Sequence, residues 1–105
     1  MDTLINSNAI DNISCLINQY IKLFNSFNNI YLFGSILNIE KTPNDIDILL
    51  IYSEFSNNII DDLNIIYSSF ANLIDSQIDL TVLSVEEEKD TKFLKRLNSK
   101  HLKLK

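Results

Sequence analysis

Two aspartates two residues apart, Asp45 and Asp47, open an otherwise apolar run, Asp-Ile-Asp-Ile-Leu-Leu-Ile-Tyr, that ends at Tyr52. On a β-strand, alternate residues share a face about 6.6–6.8 Å apart at Cα, so both carboxylates converge while Ile46 and Ile48 turn to the other side. Two such charges at the margin of a core repel unless a cation compensates, and hard oxygen ligands of this kind suit Mg²⁺, with Mn²⁺ as the alternative. Asp79 is the only acid within a later strand-like stretch, Gln77 to Leu83. Pairing of that stretch beside the first would bring a third carboxylate to the same face. Three convergent acids can hold two metal ions about 3.5–4 Å apart, which stabilise both the attacking and the leaving oxygen of an in-line phosphoryl displacement.

Gly34 and Ser35 supply a complementary feature. They follow the short β-branched and aromatic run Ile30 to Phe33. A strand ending in glycine lets backbone approach a ligand with no Cβ in the way, and the turn N–H groups with the Ser35 hydroxyl make a donor set suited to phosphate oxygens. Gly34 and Pro43 are the only glycine and proline of the chain, and they bracket one ten-residue stretch.

The elements that must position these residues are legible from periodicity. Ile10, Ile13, Leu16, Ile17, Tyr20, Ile21 and Phe24 recur at three- and four-residue steps, which predicts an amphipathic helix over about 9–27, ended by Asn28 and Asn29. Strands are expected at 30–33 and 45–52, both central in a sheet. Ile59, Ile60, Leu63, Ile66, Tyr67, Phe70, Leu73 and Ile74 mark a second long helix, and 77–83 alternates as a third strand. Ser84-Val85-Glu86-Glu87 has capping-box spacing and opens a last helix over about 85–98, whose first-turn glutamates suit the positive end of the helix dipole. The expected class is α+β with an α/β-like order: a small central mixed sheet of about three strands flanked by helices, one domain over 1–105 with a basic tail from about 91.

Gly34-Ser35, nine intervening residues, Asp45-Ile46-Asp47 leading into a hydrophobic strand, and a later Ile78-Asp79-Leu80 together resemble the minimal nucleotidyltransferase domain of the polymerase-beta-like superfamily. The resemblance spans nearly the whole chain, including the order of elements. It implies that Gly34 and Ser35 contact the phosphates of an incoming nucleotide. It further implies that Asp45 and Asp47 bind both metals, and that Asp79 ligates one and helps activate the acceptor hydroxyl. The implied reaction moves a nucleoside monophosphate, AMP from ATP, to an acceptor and releases pyrophosphate. Many members carry an Ala-Arg-Gly-like segment after the Gly-Ser, whereas this chain reads Ile36-Leu37-Asn38-Ile39-Glu40-Lys41. The single ammonium of Lys41 does not replace a bidentate guanidinium in kind. Stand-alone domains of this size are often paired with a small helical protein as antitoxins, some of which add AMP to that partner. A catalytically degenerate module that neutralises such a toxin by binding it is the alternative. Modification of a small molecule such as an aminoglycoside is a third, weakened by the lack of a second domain to cradle the substrate.

Composition narrows the field. The chain has 105 residues, is 46 % hydrophobic and 22 % charged, and carries a net charge of -5, the balance of a soluble globule. Residues 1–90 hold 14 acidic and 3 basic side chains, and residues 91–105 hold none and 6. An anionic body repels a phosphate backbone, so nucleic acid is not expected as a partner except through the basic tail. Lys92, Lys95, Arg96, Lys100, Lys103 and Lys105 are by default a solvated tail, with Leu102 and Leu104 a hint of a short strand. Fourteen asparagines are dispersed among seventeen isoleucines rather than clustered, which is compositional bias without function. The lone Cys15 is expected as core filler in a reducing compartment. Lone His101 is expected at the surface, and Tyr31 and Phe33 as strand core. No segment reaches the roughly 20 apolar residues that span a bilayer and no leader pattern opens the chain, which gives a cytoplasmic expectation.

Overall fold

The computed structural model describes residues 2–37, 45–73, 77–97 and 100–105, with backbone alone for 2–9. The first helix, α1, runs Asp2–Gln19 and the first strand, β1, Asn29–Phe33. There follow β2 (Asp45–Tyr52), α2 (Asn57–Leu73), β3 (Gln77–Ser84), α3 (Val85–Thr91), α4 (Phe93–Arg96) and β4 (His101–Lys103). The strands form one sheet in the order β3-β2-β1-β4. β2 pairs antiparallel with β1 and parallel with β3, and β4 pairs antiparallel with β1. The two strands expected to be central are central, because both are apolar on one face over their full length.

That face carries the core. Ile30 and Leu32 of β1, Ile46, Ile48 and Leu50 of β2 and Ile78 of β3 pack with Ile13 and Ile17 of α1 and Ile59, Ile66 and Phe70 of α2. Phe70 is fully buried and meets Phe24 edge-to-face at 5.8 Å, a contact that clamps α2 to the segment after α1. A short bond from the Ser26 hydroxyl to the Asp62 carboxylate, at 2.5 Å, joins the same two pieces. The opposite face bears the aspartates at one end. Further along β2 it turns apolar, and Leu49 and Ile51 are buried where α3 packs against the strand.

Several expectations need correction. The first helix does not reach residue 27: it ends at Gln19, and a 3-10 turn over Ile21–Phe24 follows. A 3-10 turn has three residues per turn, so Ile21, Phe24 and Phe27 keep their shared face through the break and periodicity cannot reveal it. The last helix also breaks. Lys92 adopts a left-handed conformation (φ 53°, ψ 42°), and the Glu88 carboxylate accepts the Leu94 N–H at 3.2 Å beyond the bend. The capping box at its start is present, Ser84 and Glu87 exchanging bonds of 2.9 and 3.0 Å.

The basic segment is not a free tail throughout: it contains α4 and ends in the fourth strand of the sheet, although Lys92, Lys95, Arg96, Lys100 and Lys103 are exposed as expected. The Lys105 ammonium donates to the carbonyls of Phe24 (3.0 Å) and Phe27 (2.7 Å), the first of which also accepts the Phe27 N–H at 3.0 Å. Cys15 lies on the exposed side of α1 rather than in the core. Asn38 to Lys41, Pro43, Ile74 and Asn98 lie outside the described residues.

Candidate functional site

Strand direction gathers the chemistry at one end of the sheet. β1 ends there at Phe33, and β2, β3 and β4 all begin there. In register, Asp79 stands opposite Asp47, Asp47 opposite Phe33, and Phe33 opposite His101, giving one row across four strands on one face. Asp45 lies on the same face two residues before Asp47, opposite Gln77. Neighbouring strands are about 4.7–4.9 Å apart, so the three carboxylates expected to converge do share a corner of the sheet.

Asp47 sits between the other two acids and feels both. Burial, then the charge of Asp79, then that of Asp45, raise its carboxyl above the ordinary 3.8. Each cause disfavours the anion. The Gln77 side-chain amide donates to Asp79 at 3.4 Å, a long and weak bond.

Gly34 follows directly from β1 with φ +81°, a conformation that side chains rarely adopt. A Cβ at this position would collide with the Asp47 carboxylate oxygen and lie 3.2 Å from its Cγ. The glycine is thus the floor on which the central aspartate rests. Ser35 is the second residue of the 3-10 turn Gly34–Leu37, and its hydroxyl reaches the Asp45 carbonyl at 3.4 Å, linking that turn to the first residue of β2. Ile36 is fully buried.

Among the described residues, no three His, Cys, Asp or Glu side chains form a closed metal cluster as they stand. The backbone nevertheless puts Asp45, Asp47 and Asp79 on one face in adjacent register. Hard carboxylate oxygens, mutual repulsion at Asp47 and the space kept by Gly34 all fit Mg²⁺.

Two residues at this end were given no site role by the sequence. His101 is half-buried rather than on the surface, its ring edge-to-face with Tyr31 at 5.5 Å and its Nδ1 buried without a partner. Arg96 places its guanidinium 5.8 Å from the centre of the Phe93 ring. Phe93 in turn meets Phe33 edge-to-face at 5.4 Å. Only the alternation of Leu102 and Leu104 pointed to a strand that would carry His101 to the site. Nothing local foretold the bend at Lys92 that brings Phe93 back over Phe33. Glu86 to Glu88 stay at the start of α3, as a helix N-terminus and not a ligand set.

No family model and no curated protein matches the chain. Solved structures do. A Sulfolobus solfataricus protein assigned to the nucleotidyltransferases superposes with a TM-score of 0.59 at 20 % identity, over 98 % of this chain and 86 % of that one. A chain of a toxin-antitoxin complex with AMP-PNP matches with a TM-score of 0.56 at 26 % identity, over 84 % of this chain and 71 % of the other. A chain of the complex between a tri-AMPylated Shewanella oneidensis HEPN toxin and its MNT antitoxin matches at 0.54 and 22 % identity, over 98 % and 71 %. The chain therefore has the nucleotidyltransferase fold. The resemblance to minimal nucleotidyltransferase domains, drawn from Gly34-Ser35, Asp45-Ile46-Asp47 and Asp79, is borne out in the architecture that carries those residues.

Proposed function

We propose that the protein is a Mg²⁺-dependent nucleotidyltransferase that moves AMP from ATP to an acceptor on a partner protein, as the antitoxin of a two-component pair. The observation that carries this reading is the register of β2 against β3, which sets Asp47 between Asp45 and Asp79 beside a glycine whose missing Cβ leaves room for the central carboxylate. The structural neighbours support the pairing with a toxin, since they include an AMPylated toxin held by an MNT antitoxin and a toxin-antitoxin complex with a nucleotide analogue.

Asp45, Asp47 and Asp79 would hold the metal, which when bound neutralises phosphate charge and polarises the transferring phosphoryl group. Gly34 and the N–H groups that follow it offer the phosphates a donor surface free of side chain. Asp79 stands on the outer strand, where an open groove of about 400 Å³, lined by Leu63, Tyr67, Ile78 and Leu80 among others, reaches it from the side of α2. An acceptor hydroxyl entering from that flank gives its proton to the Asp79 carboxylate as its oxygen bonds to the α-phosphorus. The bond to the β-phosphate oxygen breaks, and pyrophosphate leaves. Exposed Ile60 and Tyr67 on the same flank suit an acceptor that is itself a protein surface.

The test is transfer of label from α-labelled ATP with Mg²⁺ into a lysate of the native host, comparing wild type with Asp45→Asn/Asp47→Asn. Label on one protein with wild type alone is the expected result. Equal labelling by the double variant refutes the reading. No labelling, with a partner co-purifying equally with both forms, identifies a stoichiometric binder. That second reading is favoured by the apolar Ile36 and Leu37 where many relatives place an arginine.

A further inference from the structure

The acidic corner of the sheet has a cationic flank that the motifs do not include. Arg96 is the sole arginine of the chain. It lies on α4, and α4 reaches the site only because the chain reverses at Lys92, held in the left-handed region with the Glu88 carboxylate receiving the Leu94 N–H. The bend lays Phe93 edge-to-face on Phe33, 5.4 Å between ring centres at 84°. Phe33 is the residue before Gly34 and the cross-strand partner of Asp47. The Arg96 guanidinium is seated over the Phe93 ring, 5.8 Å from its centre. It is therefore carried on a two-ring aromatic support whose inner ring, Phe33, directly precedes the glycine turn and pairs across strands with Asp47.

An aromatic face orients a guanidinium without neutralising it, so the charge and the N–H fork remain available to an anion. A nucleoside triphosphate at three carboxylates brings several negative charges to an already anionic place. The residues that directly follow Ser35 in the described chain, Ile36 and Leu37, offer no cation. Phe93, the ring that carries Arg96, meets Phe33 on the β1 side of Asp47, whereas Asp79 and the groove lie on the β3 side. The two flanks thus divide between polyphosphate and acceptor.

We propose that Arg96, seated on the Phe93 and Phe33 rings, is a further nucleotide-binding residue that clamps the β- and γ-phosphates of the incoming triphosphate. This rests on the nucleotidyltransferase reading above. The exposed cations Lys92, Lys95 and Lys100 around it add attraction at longer range but lack the planar, bidentate donor geometry.

The test is calorimetric titration of wild type, Arg96→Gln, Arg96→Lys and Phe93→Leu with Mg·ATP and with tripolyphosphate. Arg96→Gln weakens both ligands roughly tenfold, in line with loss of one charge-assisted contact. Arg96→Lys keeps part of the affinity, and Phe93→Leu loses part by releasing the support. Since Arg96 is exposed, Arg96→Gln keeps the wild-type melting temperature, which separates binding from folding. Unchanged Mg·ATP affinity in Arg96→Gln overturns this role and leaves the nucleotidyltransferase reading standing, as does unchanged ATP affinity with weakened binding of a partner protein. Failure of wild type itself to bind Mg·ATP overturns the nucleotidyltransferase reading, and the role of Arg96 with it.

Discussion

Replacing Gly34 by alanine tests the geometry of the site at its tightest point. The backbone there has φ +81°, and an L-residue in the left-handed region costs about 1–2 kcal/mol. The new methyl would also meet the Asp47 carboxylate, with Cγ at 3.2 Å. Asp47 must then leave its rotamer, which costs about 0.5–1.5 kcal/mol more. The sum is a destabilisation of about 2–3 kcal/mol, which for a chain of this size lowers the melting temperature by roughly 10 °C or more. The two contributions separate in a double-mutant cycle with Asp47→Ala. That change removes the carboxylate and leaves only Cβ at 3.4 Å, an ordinary contact. In the Asp47→Ala background, Gly34→Ala should cost only the backbone part, about 1–2 kcal/mol. Urea unfolding of the four proteins measures each leg. An equal cost in both backgrounds, or a cost under about 0.5 kcal/mol in the wild-type background, refutes the argument that the glycine exists to seat Asp47.

The raised Asp47 carboxyl sets a pH dependence. A folded-state pKa above the unfolded value means that the folded protein holds its proton longer, so stability falls as pH rises from about 3.8 through the folded value. Asp47→Asn should therefore stabilise the metal-free protein near neutral pH, with an advantage that narrows as pH falls toward that limit, and Mg²⁺ should raise the melting temperature of wild type more than that of the variant. Urea midpoints that do not differ at neutral pH would show that the repulsion is unimportant. Lys105→Met removes two charged hydrogen bonds to the Phe24 and Phe27 carbonyls and should cost about 1–3 kcal/mol. It should also speed amide exchange at Leu104, whose N–H bonds the Ile30 carbonyl at 2.8 Å, while unchanged exchange would mean that β4 is held by its backbone ladder alone.

The residues of the candidate site were readable because their signals are local. A strand alternates faces whatever its neighbours do, so Asp45 and Asp47 had to share a side, and a glycine after a strand marks a backbone that needs freedom. The capping box at Ser84 and Glu87 is likewise a matter of three-residue spacing. Other features were not local. Periodicity could not separate an α-helix from the 3-10 turn that follows it, because both keep Ile21 and Phe24 on one face. Whether Asp79 met Asp47 depended on the register between two strands joined through α2, which pairing across the core decides. The basic segment read as solvated because its charge is its loudest local feature. The pairing of His101–Lys103 at the edge of β1 and the docking of Lys105 on the Phe24 and Phe27 carbonyls follow from backbone groups that only the assembled fold presents. The same assembly set His101 beside Phe33 through the pairing of β4, and laid Phe93, which carries Arg96, on Phe33 through a bend at Lys92 that no short-range preference of lysine favours.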